Sequence, residues 1–410
     1  MRLVVISPFL DRKHGAERVV SELIERLAWD YGCDIHLYSQ QVEDILLPPL
    51  DGKPYAQRGC IRWHRVVSVP GPHLIQFIWW FGANTFQRWW DVRLRKLSPD
   101  IVFSPGINTW RADVIQVHIV FEEFCQRLKP KLLFRRTPAA SWPKLIHRQV
   151  YYGLIRWLEG HIYPQKQTHL AGVSRMVVAQ LGAHFGRHDA VSIPNGVDVK
   201  RFDPQTRLQR RSAARSDLSL TPETFALLLI GNDWRNKGLQ TLIEALDEGR
   251  DLPIRLLVVG KDDVRPFEAT IQRLGLTDRV AFLAPSEDVM QFYAAADAYT
   301  GPSLEDAYGL PVIEAMASGL PVIASANAGV SEVIRDGLNG LLLRDPTNAV
   351  ELASLIRRLV DNPSLRDQLA ENAVSTARQC TLDDNAAAMW ELLNNVSARK
   401  RALANRKERA

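Results

Sequence analysis

Two carboxylates, Asp306 and Glu314, stand eight positions apart in the stretch GPSLEDAYGLPVIEAMASGLPV, residues 301–322. Between them lies Ala307-Tyr308-Gly309-Leu310-Pro311, a turn that ends in proline. Pro311 suits the first turn of a helix, where a missing N–H costs nothing. Gly319 suits a helix stop, and residues 320–324 form a short apolar run of the kind seen in buried strands. The segment therefore reads as loop, short helix, strand. A helix start offers free N–H groups and a positive dipole end, which together hold phosphate oxygens. Carboxylates beside it accept hydrogen bonds from sugar or ribose hydroxyls. A ligand with a phosphate and several hydroxyls fits this combination. A capped core helix with Glu314 near its positive end is the plainer alternative.

Cations come from a second loop. Gly231-Asn232-Asp233-Trp234-Arg235-Asn236-Lys237-Gly238 lies between a strand-like run at 225–230 and a helical one at 239–246. Arg235 and Lys237 can neutralise an anion there, although a solvated loop pair reads the same way. In the first half, His118 ends the apolar run 113–117, and Gly15-Ala16 opens a helical pattern just after the β run 2–7. A lone histidine of this kind is more often structural than catalytic. Strand, glycine turn and helix open a nucleotide-type α/β fold, but Gly-x-Gly-x-x-Gly is absent.

The frame around the carboxylates resembles that of the retaining nucleotide-sugar glycosyltransferases of family 4 (glycosyl transferases group 1), which have the GT-B architecture. Their signature places an acid and then Glu after seven intervening residues, within Pro-Ser … Gly-Leu-Pro … Glu-Ala-Met-Ala-x-Gly-x-Pro-Val. This chain supplies Pro302, Ser303, Gly309, Leu310, Pro311, Glu314, Ala315, Met316, Ala317, Gly319, Pro321 and Val322. It departs at the first acid, where the usual Glu is Asp306, one methylene shorter. Pro194-Asn195-Gly196-Val197-Asp198 with Phe202 is similar to the family's interdomain linker. The resemblance is strong over 191–345 and looser over 1–190.

The resemblance implies an α/β fold of two Rossmann-like domains facing a deep interdomain cleft, with a C-terminal helix crossing back to the first domain. On this chain the acceptor-binding domain is 1–195 and the nucleotide-sugar domain 196–380. The returning helix is 381–398, and a basic tail, expected to fray, is 399–410. The resemblance assigns Glu314 to the ribose hydroxyls. Asp306, with the backbone N–H groups of Ala307, Tyr308, Gly309 and Leu310, goes to the donor sugar. Lys237 and Arg235 go to the leaving diphosphate, where Lys237 matches the family directly and Asn232 stands at the usual Arg position. Gly15 and Ala16, in place of the family's Gly-Gly, approach the donor phosphates. His118 hydrogen-bonds the donor sugar across the cleft. His118, Asp306 and Lys237 are thus the expected catalytic residues, with no enzyme nucleophile assigned.

No Asp-x-Asp occurs in the chain, so protein cations rather than a metal are expected to stabilise the diphosphate, and no cofactor is expected. The expected substrates are a UDP- or GDP-linked sugar and a glycolipid or cell-surface saccharide acceptor. The activity implied is that of a hexosyltransferase. A nucleotide-sugar epimerase, a phosphorylase and a non-catalytic saccharide-binding subunit are the alternatives on the same architecture. A phosphorylase would need a tethered pyridoxal phosphate, for which no signal exists. A disabled subunit would not be expected to keep Lys237, Glu314 and His118.

The 410 residues suit two ordinary domains, and 46% hydrophobic against 24% charged residues suits globular cores. Cys33, Cys60, Cys125 and Cys380 have no paired metal spacing, which fits a reducing compartment. The start is too short in apolar residues for a signal peptide, and no run approaches the roughly 20 residues of a spanning helix. Charge is uneven: residues 1–200 hold 26 Lys and Arg against 17 Asp and Glu. Nine of the 11 tryptophans fall in the first 157 residues. The helical pattern 74–97 carries Trp79, Trp80, Trp89 and Trp90, with Arg88, Arg93, Arg95 and Lys96 close by. Residues 127–148 interleave Arg127, Lys129, Lys131, Arg135, Arg136, Lys144 and Arg148 with apolar side chains. These patterns point to an anionic membrane surface as a partner, with some of the tryptophans filling the core instead. No nucleic-acid partner is expected. The localisation expected is cytoplasmic, peripheral to the inner membrane face.

Overall fold

A computed structural model describes the chain apart from residues 13–14, 44, 46–58, 129–141 and 410. It divides into two compact units, Met1–Pro194 with Leu382–Ala410, and Asn195–Thr381. The first unit contains β1 (Arg2–Ile6), β2 (Phe9–Leu10), α1 (Gly15–Trp29), β3 (Asp34–Ser39), β4 (Gln41–Val42), β5 (Cys60–Arg65) and α2 (His73–Leu94). It continues with β6 (Ile101–Pro105), β7 (Val114–Val117), α3 (Phe121–Leu128), α4 (Trp142–Ile162), β8 (His169–Gly172), α5 (Arg175–Phe185) and β9 (Val191–Ser192). The second contains α6 (Pro204–Asp217), β10 (Phe225–Ile230), α7 (Leu239–Glu248), β11 (Ile254–Val259), α8 (Arg265–Arg273), β12 (Val280–Leu283) and α9 (Met290–Ala295). Then follow β13 (Ala298–Gly301), α10 (Leu310–Ala317), β14 (Val322–Ser325), β15 (Leu341–Leu343), α11 (Ala349–Asp361) and α12 (Pro363–Ala377). The last helix, α13 (Leu382–Arg409), belongs to the first unit.

Each unit is built on one parallel sheet with helices against it, the Rossmann-like organisation. In the first the strand order is β5-β3-β1-β6-β7-β8-β9, and in the second β12-β11-β10-β13-β14-β15. The central strands are near-continuous apolar runs because both faces are covered. In β10, Phe225 to Leu229 are all buried, and the register pairs Leu227 with Leu256 on β11 and with Ala298 on β13. Leu227, Leu229, Leu256 and Val258 pack with Leu242, Ile243, Ile356 and Leu359 from α7 and α11. Such sheets bind ligands beyond the strand C-termini where the strand order reverses. The reversal falls between β1 and β6 in the first unit and between β10 and β13 in the second.

The C-terminal helix differs from expectation in length. Ala386, Met389, Leu393 and Val396 of α13 enter the core formed by Leu3, Val5, Leu23, Ile24 and Leu27. The tail expected to fray instead continues the helix to Arg409. Its basic side chains find carboxylates at the ends of β6 and β7: Lys400 Nζ lies 2.8 Å from Asp113 Oδ2, and Arg401 2.9 Å from Asp100 Oδ1. Helices α3, α5 and α6 had no counterpart in the sequence reading. Helix α6 has little apolar face to detect. Arg211 and Arg215 instead tie it to Asp297 at 2.5 and 2.9 Å.

Candidate active site

The two loops that leave β10 and β13 flank the reversal point of the second sheet, and Lys237 and Asp306 lie on them. Their approach depends on glycine. Gly238 has φ +77°, and a Cβ there would come 2.0 Å from the Pro302 carbonyl oxygen, so only glycine lets the loops close. Hydrogen bonds then lock them. The Leu304 N–H donates to the Asn236 carbonyl at 2.7 Å, and Asn236 Nδ2 donates to the Glu305 carbonyl at 2.8 Å. The Asp306 N–H donates to the Asn327 carbonyl at 3.1 Å, and the Asp306 carbonyl accepts from the Gly329 N–H at 2.9 Å. The backbone of Asp306 is thereby held from both sides.

On this frame Lys237 Nζ donates to Asp306 Oδ2 at 2.5 Å, with both side chains about one-fifth exposed. The other carboxylate oxygen of Asp306 accepts the Tyr308 N–H at 3.2 Å, so that amide is already engaged. Gly309 caps α10 at φ +95°, leaving the Gly309 and Leu310 N–H groups at a helix start with no intrahelical acceptor. Tyr308 is buried, and its hydroxyl has no partner among the described residues. Glu314 is buried within α10, and its Oε2 accepts the Tyr293 hydroxyl at 2.8 Å. Arg235 is exposed, and no ion pair or hydrogen bond holds its side chain among the described residues. Lys237, Asp306 and the start of α10 are thus brought together, whereas Arg235 is not tied to them. Asn232, at the usual Arg position, accepts the Lys261 N–H at 2.8 Å.

In the first unit Gly15 begins α1, and Ala16 lines a cavity of about 310 Å³ together with Ser7, Glu17, Phe77, His118 and Glu159. His118 keeps some exposure, but its Nε2 is buried with no partner among the described residues. Burial pushes its pKa down to about 4, so the imidazole is neutral near pH 7. It offers a hydrogen bond there, not a positive charge. Glu159 is fully buried and accepts the Phe121 and Glu122 N–H groups at 2.8 and 3.0 Å, capping the start of α3. Burial raises its pKa to about 7 despite those bonds. Glu159 and Tyr293 escaped the sequence reading because each is a single polar residue inside a helical pattern, with a partner remote in sequence. Among the described residues no group of three or more His, Cys, Asp or Glu is arranged to hold a metal ion.

Residues 211–376 match the family model described as glycosyl transferases group 1. A D-inositol 3-phosphate glycosyltransferase of Nocardia farcinica is 34% identical over 244 residues, 53% of this chain and 51% of that protein. The lipopolysaccharide glucosyltransferase WaaG of Escherichia coli is 32% identical over 184 residues, 44% of this chain and 49% of that protein. The chain thus spans about half the length of these relatives. Among solved structures, WaaG superposes with a TM-score of 0.74 at 21% identity, covering 95% of this chain and 99% of that one. Anabaena Alr3699/HepE in complex with UDP-glucose superposes with a TM-score of 0.68 at 19% identity, covering 96% and 100%. The fold is that of these GT-B enzymes, and residues 211–376, which carry the motif within the second unit, are similar to the glycosyl transferases group 1.

Proposed function

We propose that the chain is a retaining, metal-independent glycosyltransferase of family 4. In this reading it moves a hexose from a UDP- or GDP-linked sugar to a glycolipid or cell-surface saccharide at the inner membrane face. The Lys237–Asp306 pair beside the open start of α10, at the reversal point of the second sheet, carries this reading. Phosphate oxygens meet Lys237 and the free helix-start N–H groups, and sugar hydroxyls meet Asp306. Glu314, held by Tyr293, takes the ribose hydroxyls. Charge that develops on the leaving diphosphate falls to Lys237, a preorganised cation whose effect strengthens as water is excluded. Neutral His118 supplies a hydrogen bond to the sugar. A leaving phosphate oxygen takes the acceptor proton, so no enzyme nucleophile is required.

The UDP-glucose named for HepE favours a UDP-sugar donor, and the lipopolysaccharide substrate named for WaaG favours a cell-envelope acceptor. The test is a thermal-shift panel of UDP-, GDP- and ADP-sugars, followed by slow hydrolysis of the stabilising donor. Stabilisation by one nucleotide class, lost in Glu314→Ala, is the expected result. No stabilisation by any sugar nucleotide overturns the donor assignment.

A further inference from the structure

Helix α2 is apolar on both sides. Its buried side carries Trp80 and Phe81 together with the polar Asn84 and Asp91, with Arg88 half-buried beside them. Asn84 Nδ2 donates to the Asn108 carbonyl at 3.1 Å, and Arg88 donates to Thr109 Oγ1 at 2.6 Å. Asp91 accepts the Tyr38 hydroxyl at 2.7 Å and lies 3.3 Å from His64 Nδ1. The opposite side exposes Ile75, Ile78, Trp79, Phe86, Trp89 and Trp90 at helical spacing. Phe86 and Trp89 are 61% and 53% exposed, and Phe86 packs on Trp89 and Trp90 with ring centres 5.9 and 6.1 Å away. A soluble surface helix keeps its apolar side inward and a polar side outward. The apolar surface continues onto α4, where Trp157 is exposed and meets exposed Trp110 edge-on at 5.6 Å. An aromatic face of this extent marks an interaction site.

Charge identifies what covers it. The one acid of α2 is Asp91, which is buried, so the outward face carries no carboxylate. Arg93, Arg95 and Lys96 are exposed at the C-terminal end of α2, Arg65 at the end of β5, and Arg148 on α4. Residues 51–150 hold 16 Lys and Arg against 6 Asp and Glu. Tryptophan favours the headgroup region, and cations flanking it favour anionic headgroups. Among the described residues no helix is long and apolar enough to cross a membrane, so the helix lies along a surface, not through it. We infer that the outward face of α2, extended by Trp110 and Trp157, docks flat on an anionic lipid surface. The inference deepens the membrane-borne acceptor of the proposed function. Docking is read without any transfer assay, so the two ideas fail separately.

The test is flotation of the full chain with phosphatidylcholine vesicles, with and without a third of phosphatidylglycerol. Binding is expected on the anionic vesicles at low salt, with a blue shift of tryptophan emission, and weakening as salt rises. Phe86→Ser with Trp89→Ser should lower partitioning about tenfold, since two aromatic rings lose their burial. Arg93→Glu with Lys96→Glu should lower it at least about fivefold for each reversed cation. All four side chains are exposed, so unchanged melting temperatures show that both variants stay folded. Indifference of the parent to anionic vesicles, or parental partitioning by both variants, overturns the inference. So does a dimer that the aromatic variant abolishes while no vesicle binding is seen, which makes a second copy the occupant.

Discussion

Lys237 Nζ and Asp306 Oδ2 lie 2.5 Å apart although 69 positions separate the residues in sequence. Sheet order produces the contact: β13 pairs directly with β10, so the loop after one meets the loop after the other. The aspartate holds the ammonium in place. In the proposed reading, a diphosphate would meet a cation that needs little reorganisation.

Lys237→Ala and Glu314→Ala should each lower transfer about 10²–10³-fold, the usual effect of removing one preorganised contact to a transition state. The melting temperature of Lys237→Ala should stay near the parent's, because Lys237 is on a partly exposed loop. Single-turnover rates with the donor found by thermal shift provide the measurement. Near-parental turnover in both folded variants removes them from the donor site.

Chelation should leave the rate unchanged, because in the proposed reading Lys237 and helix-start N–H groups neutralise the diphosphate. Rates are compared with and without EDTA, then after adding Mg²⁺ or Mn²⁺ back. Strict dependence on the returned ion contradicts the proposal.

His118→Ala should depress transfer while hardly changing nucleoside-diphosphate affinity. Because burial holds the His118 pKa at about 4, its ionisation should not appear in the pH–rate profile between about pH 5 and 8. Equal loss of nucleotide affinity in the variant moves His118 out of the sugar subsite. A parental rate limb near pH 6.5 that disappears in the variant contradicts the neutral imidazole.

A second prediction on pH concerns folding. His36 Nδ1 and His64 Nε2 are 2.8 Å apart, and burial holds both imidazoles below their ordinary pKa. For His36 the neighbouring His64 is the next cause. The unfolded chain therefore binds more protons as pH falls below about 6.5, and the stability these groups contribute is lost as pH passes the folded values. Glu159, raised to about 7, has the opposite sign: its contribution is full at low pH and is lost as pH rises toward 7. Comparing parent and His36→Gln by urea denaturation cancels the Glu159 effect. The parent should lose stability relative to the variant between about pH 6.5 and 5, and parallel curves would refute the assignment.

Much of the second unit was legible because its central strands are buried apolar runs between turns. Residues 225–230 match the bounds of β10 on that ground, and residues 280–283 match β12, a half-buried edge strand that is apolar throughout. The motif at 301–322 singled out Asp306 and Glu314, and the separate loop 231–238 singled out Lys237. The ion pair between two of these was not legible, since it follows from strand order and not from spacing. On α2 the division between core and surface was not legible. Its tryptophans pointed to a membrane surface with some of them in the core, and of the four only Trp80 is buried, its indole N–H donating to Asn108 Oδ1 at 3.1 Å. Asp91 and Asn84 displaced the others outward by finding partners on neighbouring strands and loops, information that periodicity does not carry. The basic segment within 129–141 lies outside the described residues, as do the side chains of Arg127, Lys144 and their neighbours, so the charge expectation there has no structural account.

The last prediction separates the two parts of α13. Met389 is fully buried among residues of β1, β3 and α1, so Met389→Ala deletes buried methylene groups and leaves a cavity. Such changes cost about 2–5 kcal/mol. Residues 399–410 instead hold the first unit by ion pairs from Lys400 and Arg401, whose side chains are 47% and 64% exposed. Exposed pairs contribute about 0–1 kcal/mol, because solvent and salt screen them. Deleting 399–410 should therefore lower stability to urea far less than Met389→Ala, and the small loss should shrink further in high salt. A truncation as costly as the core substitution would mean that the basic end of the helix, and not its apolar seam, anchors α13 to the sheet.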